Sequence, residues 1–275
     1  MQYPPTSSNA HVTYRMKALE GYRAAAARGV PAAVDALARH AAHENNKDAR
    51  RIRSIDEKQN PINGARVNAG HKGVQLWEGG PYWAETNIGA EKPEDYGYYF
   101  WWGDIVGYKR EGDSWVASDG SQSGFSFGKD TTSTYGKSIE ALRNEGWITA
   151  DGILAPEHDA AHVQWGGGWR MPTKQELDDL SSKCDWESTT LNGVEGYEVR
   201  GKGAYASASI FLPCAGGGYG TSLHHSGSNG YYWSSGPYSD YYSSWGLRFG
   251  SGGHGTYDGY RGSGQSVRPV QGFTK

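Results

Sequence analysis

The sequence predicts an α+β fold that has many short strands and few helices, preceded by a helical N-terminal arm. Three observations predict it. From residue 71 onward, short apolar or aromatic runs alternate with Gly, Ser, Asp and Asn turns. All 11 Trp and all 6 Phe lie at or after Trp77, and only 4 of the 41 Gly precede residue 71. The first 70 residues instead carry 15 Ala, the strongest helix former.

The predicted arm, residues 1–70, carries a thin apolar stripe, because Val12, Met16 and Leu19 recur at helical spacing. So narrow a stripe buries little surface alone, so we expect the arm to pack on the body, on itself or on copies in an oligomer. One interpretation is that the arm is an oligomerisation or docking segment. A trimer would suit a protein at the tip of a fibre. The other is a helical arm folded on its own domain. The turn-rich run Asn60-Pro-Ile-Asn-Gly is a plausible boundary between arm and body.

Two helices and several strands are expected in the body, residues 71–275. One helix is predicted near residues 137–145. The other is predicted at residues 173–181, where Thr173 followed three residues later by Glu176 has the form of a capping box. The last strand is expected to pair into a sheet. The strand candidates are residues 196–200, 208–212, 230–235, 244–249 and 265–270.

Charge and hydropathy exclude several classes of protein. With 27 basic and 30 acidic residues the formal net charge is -3, which argues against a nucleic-acid partner. No apolar run approaches the roughly 18 residues of a membrane span, so no membrane insertion is expected. The first residues show no secretory signal, so we expect either a cytoplasmic protein or one displayed by another route. Cys184 and Cys214 are interpreted as two buried thiols, with one disulfide between them left open.

Three patterns that could carry chemistry are incomplete. His158 and His162 are four residues apart, as zinc ligands on a helix would be, but Pro156 favours a loop in which both histidines and Glu157 satisfy buried amides. Gly136-Lys-Ser lacks the first glycine of a phosphate loop. Gly124-Phe-Ser-Phe-Gly fits a nucleophile elbow, but a loop follows it where a helix is needed. No catalytic residue, metal site or cofactor is therefore expected.

A resemblance to a known family is carried by six blocks in order. They are Trp83-Ala-Glu-Thr-Asn-Ile-Gly-Ala, Pro93-Glu-Asp-Tyr-Gly-Tyr-Tyr-Phe-Trp-Trp-Gly, the run Leu154–Glu176, Ile210-Phe-Leu-Pro, Gly230-Tyr-Tyr-Trp-Ser-Ser and Ser266-Val-Arg-Pro-Val. Together they resemble the major paralogous domain of Bacteroidetes-type proteins, over roughly residues 77–270 and not the arm. The resemblance implies a C-type-lectin-like fold with long irregular loops, related to the formylglycine-generating enzymes. In that fold the end of the chain pairs with early strands, and a long loop region displays a binding face.

The segment from Gly230 to Ser266 resembles the variable region of a diversity-generating retroelement target. It holds 10 Gly, 8 Ser and 7 Tyr, and no Lys, Glu, Met or Ala. In such regions, random replacement of adenines in AAC or AAT codons yields Tyr, Asp, Ser, Gly, His or Arg, but never Lys, Glu, Gln, Met or Trp. Antibody loops use a similar Tyr, Ser and Gly mixture, because Tyr gives large rigid contacts and small residues adapt.

The resemblance and the alternation along the segment divide it into scaffold and variable positions. Trp245, Leu247 and Phe249 are expected to face the core, so that Gly246, Arg248 and Gly250 face outward. Trp233, Trp245, Phe249, Val267 and Arg268 are interpreted as scaffold. The variable, ligand-contacting positions are predicted to be Gly236, Asp240, Tyr241, Tyr242, Gly246, Arg248, Gly250, Gly252, Gly253, His254, Gly255, Tyr257, Asp258, Gly259, Tyr260, Gly262 and Ser263.

These features predict a non-enzymatic receptor-binding protein with a diversified C-terminal surface. The favoured setting is a phage tail, where the protein would bind a protein or glycan of a bacterial surface and residues 1–70 would dock to the virion. One alternative is a bacterial protein of the same family with an unknown ligand. Another is an oxidase of the formylglycine-generating type, which needs an accessible cysteine near Arg268. The calcium motifs Glu-Pro-Asn, Gln-Pro-Asp and Trp-Asn-Asp of sugar-binding relatives are absent from the sequence.

Overall fold

Strands dominate the part of the chain that the structure, a computed structural model, describes: residues 65–68 and 70–272. The predicted helices of the arm and the turn-rich boundary lie outside these residues. Within them the prediction of an α+β fold with few helices is confirmed. The strands of this part are β1 (Ala65–Asn68), β2 (His71–Gln75), β3 (Tyr82–Ala84), β4 (Tyr108–Glu111), β5 (Ser114–Ala117), β6 (Ser123–Phe125), β7 (Trp169–Arg170), β8 (Asp185–Leu191), β9 (Val194–Arg200), β10 (Ser209–Pro213), β11 (Gly217–Tyr219), β12 (Ser222–His224), β13 (Gly230–Pro237), β14 (Ser243–Gly250), β15 (Gly253–Tyr260) and β16 (Val270–Gln271).

The strands of the described residues assemble into small antiparallel sheets. The largest has five strands in the order β1-β2-β3-β16-β7, and β1 falls within the last residues assigned above to the arm. The expected pairing of the final strand is confirmed, because Val270 pairs with Trp83 of β3 and with Arg170 of β7. Strand β16 is shorter than predicted, since Gln265 and Ser266 form only single bridges. The other sheets are β4-β5-β6, β10-β9-β8, β11-β12 and β13-β14-β15.

The described α-helices are α1 (Ile139–Asn144), α2 (Ala160–Trp165) and α3 (Lys174–Lys183). The capping box of α3 is confirmed: the Thr173 hydroxyl accepts from the Glu176 amide at 3.2 Å, and the Glu176 carboxylate accepts from the Thr173 amide at 2.8 Å. The Ser138 hydroxyl caps α1 by accepting from the Ala141 amide at 3.0 Å. None of the helices in the described ranges is long and apolar enough to cross a membrane.

The loop expected at residues 156–165 is instead a 3₁₀ turn followed by α2, so that prediction is wrong. The carboxylate that satisfies the buried amides belongs to Asp159 rather than to Glu157 or the histidines. It caps α2 by accepting from the amides of Ala161 and His162, and it also accepts from the Met171 amide. The N-cap role of Asp159 depends on α2, a helix that the loop expected after Pro156 left out of the prediction.

The core is built on tryptophan. Within the described residues, the largest fully buried side chains include those of Trp83, Trp102, Trp115, Trp169 and Trp233. The two cysteines are buried and unpaired, as the interpretation of two buried thiols expected. Burial of so many large rings gives the loops fixed surfaces to pack on.

A buried carboxyl group makes stability depend on pH. Asp104 accepts from the amides of Val106 and Gly107, yet burial raises its pKa to about 6, from the ordinary aspartate value of 3.8. Between these two pKa values the folded chain holds more protons than the unfolded chain, so the free energy of unfolding falls as pH rises. At about 1.4 kcal/mol per pKa unit, the loss approaches about 3 kcal/mol.

We therefore expect the unfolding free energy of the wild type to fall relative to Asp104→Asn, by roughly 1–3 kcal/mol between pH 4 and 7. Urea unfolding of both proteins across this pH range measures the difference. Other titrating groups are common to the two chains and largely cancel. If the unfolding free energies of the two proteins changed in parallel with pH, the pH dependence could not be assigned to Asp104.

Candidate ligand-binding site

A cavity of about 450 Å³ opens beside the three-stranded sheet β13-β14-β15. Its volume lies within the ~300–1,000 Å³ range of small-molecule sites. The hairpin β11-β12, strands β13 and β15, and the loop after β15 supply the lining. The lining residues are two glycines and eight residues with aromatic or polar side chains, with no Lys, Arg, Asp or Glu among them: Gly217, Gly218, Tyr219, His224, His225, Tyr231, Tyr257, Tyr260, Ser263 and Gln265.

Two glycines let the β11-β12 hairpin close on the loop after β15. Gly218 and Gly264 exchange backbone hydrogen bonds, at 2.7 Å from the Gly218 amide and 2.8 Å from the Gly264 amide. A Cβ on either residue would lie 2.5–2.6 Å from the Phe127 ring, closer than real Cβ contacts allow. The absence of both side chains therefore sets the distance between the two parts of the cavity wall.

Tyrosine rings form much of the cavity wall. The rings of Tyr231 and Tyr257 lie 5.9 Å apart, and those of Tyr219 and Tyr260 lie 6.1 Å apart in an edge-to-face arrangement. Burial raises the pKa of Tyr257, and burial together with a hydrogen bond to Tyr135 raises the pKa of Tyr260 to about 12. These two hydroxyls are therefore protonated at neutral pH and remain hydrogen-bond donors.

One cavity-lining residue, Gln265, has a side-chain oxygen that lacks a hydrogen-bond partner. Its residue is only 2% exposed, and its side chain forms a hydrogen bond with Tyr257. The Oε1 atom is buried and has no hydrogen-bond partner in the structure. A buried acceptor without a partner costs about 1–3 kcal/mol of stability, and its burial puts this oxygen out of reach of a molecule in the cavity.

The aromatic surface continues outside the cavity as a tyrosine strip, defined as Tyr219, Tyr260, Tyr135, Tyr242 and Tyr241 in spatial order. Successive ring centroids along it lie 5.0–6.2 Å apart. Among the described residues, three of the four exposed large hydrophobic side chains belong to this strip: Tyr219 is 58%, Tyr241 54% and Tyr242 48% exposed. Accessible tyrosines in contact with one another are typical of binding surfaces.

The structure brings together only some of the predicted contact residues. Tyr257, Tyr260 and Ser263 line the cavity, and Tyr241 and Tyr242 extend the strip. Asp240 holds the turn before β14, since its carboxylate accepts from the amides of Tyr242 and Ser243. The remaining accessible positions lie outside the cavity lining: Arg248, Gly252, Gly253, His254, Gly255 and Asp258. Of these, His254 stacks on Trp186 at 4.4 Å and shares a hydrogen bond with Ser181.

The prediction of ligand contact is wrong for five glycines, because all are buried: Gly236, Gly246, Gly250, Gly259 and Gly262. Gly246 lies on the face of β14 opposite to Leu247, as predicted, but other parts of the chain cover that face. A Cβ there would stand 2.9 Å from the Tyr232 carbonyl oxygen and 3.0 Å from the Tyr257 ring. At Gly250 it would meet the Asn229 side chain at 2.5 Å. Outward alternation along a strand does not guarantee exposure when loops cover the second face.

Gly259 provides a direct test of this correction. A Cβ there would lie 2.6 Å from Gln265 Nε2 and 2.7 Å from the Trp233 ring, whereas a Cβ at Gly255 would meet nothing within 4 Å. Gly259→Ala is therefore expected to lower the unfolding free energy by about 1–3 kcal/mol. Gly255→Ala, in the same strand, should stay within about 0.5 kcal/mol of the wild type. Equal urea midpoints for the two variants would show that position 259 can vary freely.

Several site residues were missed by sequence reasoning. Tyr219, Tyr231 and Gln265 line the cavity, and Tyr135 joins the strip, yet none was predicted. His224, the last residue of β12, and His225 are exposed and also line the cavity. The one sequence feature that could have indicated this part of the site is the run of glycines before Tyr219. Such a run indicates that another segment packs closely on the backbone, but it does not identify that segment.

Comparison with known proteins adds one finding. A family described as a domain of unknown function (DUF8237) matches residues 170–270. The matched segment contains the whole cavity lining, so the cavity lies within a region that recurs in other proteins. No curated protein and no solved structure matches the chain.

Proposed function

We propose that this chain is a non-enzymatic recognition protein that binds a receptor on a bacterial surface through the tyrosine-walled cavity and the tyrosine strip. The observation that carries the proposal is the clustering of accessible tyrosines around a cavity whose lining contains no Lys, Arg, Asp or Glu. Tyr anchors dominate many binding surfaces because they bury large areas at low conformational cost. The sheet and hairpin beneath them supply the rigid support that such anchors need.

We also propose that the body has a C-type-lectin-like fold. Two features support this: the chain's last strand lies between an early strand and β7 in one antiparallel sheet, and few helices accompany many short strands and long loops. The same fold would make the C-terminal segment a display region. The likeness to the major paralogous domain rests on the sequence blocks that include β7 and β16.

Diversification by a retroelement is proposed for the accessible part of the segment alone. The positions expected to vary are those outside the buried glycines, such as Tyr241, Tyr242, Arg248, Tyr257 and Asp258. A near-copy of the codons for residues 230–270 beside the gene, differing only at adenines, would support this, together with a reverse transcriptase gene. A repeat that also differs at the codons of Gly246 and Gly259 would contradict the division of the segment into accessible variable positions and buried constant glycines.

A phage tail remains the favoured setting, with residues 1–70 docking to the virion and a trimer raising avidity. Several copies of a weak site bind more tightly than a single copy does, and this gain needs no new contact. The alternative setting is a bacterial protein of the same family.

The cysteines bear on the oxidase alternative. Both are buried, and burial raises the thiol pKa of Cys184 to about 12 and of Cys214 to about 11. Arg268, beside which such an oxidase would need an accessible thiol, is itself buried and bonded to backbone carbonyls. A thiolate nucleophile is disfavoured in these surroundings, which supports recognition rather than oxidation.

Binding to whole bacterial cells tests the proposed function. The labelled full chain is offered to a panel of strains, and bound protein is measured by flow cytometry. Tyr241→Ala combined with Tyr242→Ala is expected to weaken binding at least tenfold, about 1.4 kcal/mol, without loss of folding, because both rings are about half exposed. Tyr205→Ala, a half-buried tyrosine outside the cavity and strip, is the matched control. Binding to no strain, or equal binding by all variants, would contradict the proposal.

A further inference from the structure

We infer that the cavity binds a quaternary ammonium group, specifically the trimethylammonium end of choline, against its tyrosine rings. The inference rests on the proposed function and names a chemical group that the receptor presents to this site. Strands β11, β13 and β15 contribute four tyrosines to the lining: Tyr219, Tyr231, Tyr257 and Tyr260. The face of an aromatic ring attracts a cation through the ring's quadrupole, and clusters of such rings bind quaternary ammonium ligands for this reason.

The four rings form two inclined pairs in the cavity wall. The ring planes of Tyr231 and Tyr257 are inclined at 59°, with 5.9 Å between their centroids. Those of Tyr219 and Tyr260 are inclined at 65°, with 6.1 Å between their centroids. Rings inclined in this way do not cover each other's faces, as parallel stacked rings would. Since all four line the same cavity, a compact round cation can contact more than one of them.

Two of the rings are held in place by glycines. A Cβ at Gly246 would lie 3.0 Å from the Tyr257 ring, and a Cβ at Gly262 would lie 2.7 Å from the Tyr260 ring. Each ring therefore packs directly on glycine backbone, and the hydrogen bond that each of these tyrosines makes to another side chain also holds it. Binding then needs little further ordering of these side chains.

The rest of the lining favours a quaternary ammonium group over other ions. Among the described residues that line the cavity, none is Asp or Glu, so no carboxylate is present to accept from a primary ammonium group, which has three N–H donors and is strongly hydrated. A trimethylammonium group has no N–H donor and presents only methyl groups. An anion would meet the negative ring faces without a Lys or Arg beside them.

The cavity also has room for the group that carries the cation. Its volume of about 450 Å³ exceeds that of a trimethylammonium group. His224 and His225 are lining residues that can become positively charged, and both are exposed. Binding is therefore measured at pH 8, where a histidine side chain in water is neutral.

Ligand-observed NMR with the full chain and matched probes tests the inference. Choline is compared with 3,3-dimethylbutan-1-ol, in which a carbon atom replaces the charged nitrogen at nearly the same volume, and with ethanolamine, a primary ammonium compound. Choline is expected to bind roughly fivefold or more tightly than either. Cosedimentation with phosphatidylcholine vesicles, against phosphatidylglycerol vesicles, then distinguishes a lipid headgroup from a choline group carried by a surface polymer.

Two pairs of variants locate the binding. Tyr219→Leu and Tyr231→Leu each keep an apolar side chain but remove the ring, and each is expected to weaken choline binding roughly threefold or more. Tyr219→Phe and Tyr231→Phe keep the ring and should stay within about twofold of the wild type. Tyr205→Leu, outside the cavity, should leave choline binding unchanged. Melting curves identify any variant that fails to fold, and the exposed position 219 decides if position 231 does not tolerate leucine.

Three results would overturn the inference. They are no binding of choline, binding of the neutral isostere or ethanolamine as tightly as choline, and choline binding that neither leucine variant weakens. An equal loss in Tyr219→Phe and Tyr219→Leu would also overturn it, because the contact would then belong to the hydroxyl group and not to the ring face.

The cell-binding experiment separates this inference from the proposed function. Loss of cell binding in the Tyr241 and Tyr242 variant, with no binding of choline, would retain a receptor-binding protein and overturn the quaternary ammonium group as its ligand. Binding of choline by a chain that binds to no strain would support the inference and contradict the bacterial receptor.

Discussion

Arg268→Met is expected to lower the unfolding free energy by roughly 3–5 kcal/mol, among the largest effects of any single substitution in this chain. The guanidinium is buried and donates to Asn87 Oδ1 at 2.8 Å and to the carbonyl oxygens of Ala84, Glu85 and Phe211 at 2.9–3.0 Å. Methionine fills similar volume but leaves those acceptors without donors in a dry interior. The residue therefore joins the end of the chain to an early strand and to β10.

Arg268→Lys should recover little of this loss, because an ammonium group cannot reproduce the planar set of donors that reaches two segments of the chain at once. Arg248→Met is the matched control, since Arg248 is exposed on β14, and it should change stability by no more than about 0.5 kcal/mol. Urea unfolding followed by tryptophan fluorescence measures all three variants. A loss in Arg268→Met no greater than that in Arg248→Met would show that the buried hydrogen bonds contribute little.

Features that depend on neighbouring residues could be predicted from the sequence. Helix α3 was predicted because the capping box of Thr173 and Glu176 is a contact between residues three apart. Strand β14 was predicted because Trp245, Leu247 and Phe249 alternate, and the last two are buried as expected. In each case the determining interaction is local or periodic.

Strand β15 (Gly253–Tyr260) could not be predicted in the same way. It contains Gly, His, Thr, Tyr and Asp, with no alternation of apolar residues. Its extended conformation comes from an eight-residue register with β14, in which Gly246 pairs with Tyr257 and Phe249 with His254. A contact between strands overrides weak local preference, and the order of residues along the chain does not reveal it.

The site was predicted by composition but not by position. The abundance of Tyr in the C-terminal segment indicated a binding surface, and Tyr257 and Tyr260 do line the cavity. Tyr135 and Tyr219 meet Tyr260 only because distant loops fold onto it. Which glycines are exposed likewise depends on what packs over the second face of the sheet.

Arg261→Lys is expected to disable recognition although Arg261 is buried and does not line the cavity described above. Its guanidinium donates to the carbonyl oxygens of Thr134 and Lys137 on one loop and of Asp240 and Tyr241 on another, at 2.9–3.3 Å. These loops carry Tyr135 and Tyr242, whose rings lie 5.0 Å apart in the tyrosine strip. Lysine has three donors where this site uses more, so several carbonyls would lose their partner.

Hydrogen exchange locates the consequence of Arg261→Lys. Amides of residues 134–137 and 239–243 are expected to exchange at least tenfold faster than in the wild type, while those of α3 change less, because about 1.4 kcal/mol of local stabilisation is a factor of ten. Cell binding should weaken at least tenfold in parallel, because the loops that hold the strip's tyrosines would no longer be fixed. Arg143→Lys, at an exposed arginine of α1, controls for the substitution itself. If cell binding weakened while amide exchange in both loops stayed unchanged, Arg261 would have a role other than positioning the strip. If the loops exchanged faster but cell binding stayed unchanged, the strip would not be part of the recognition surface.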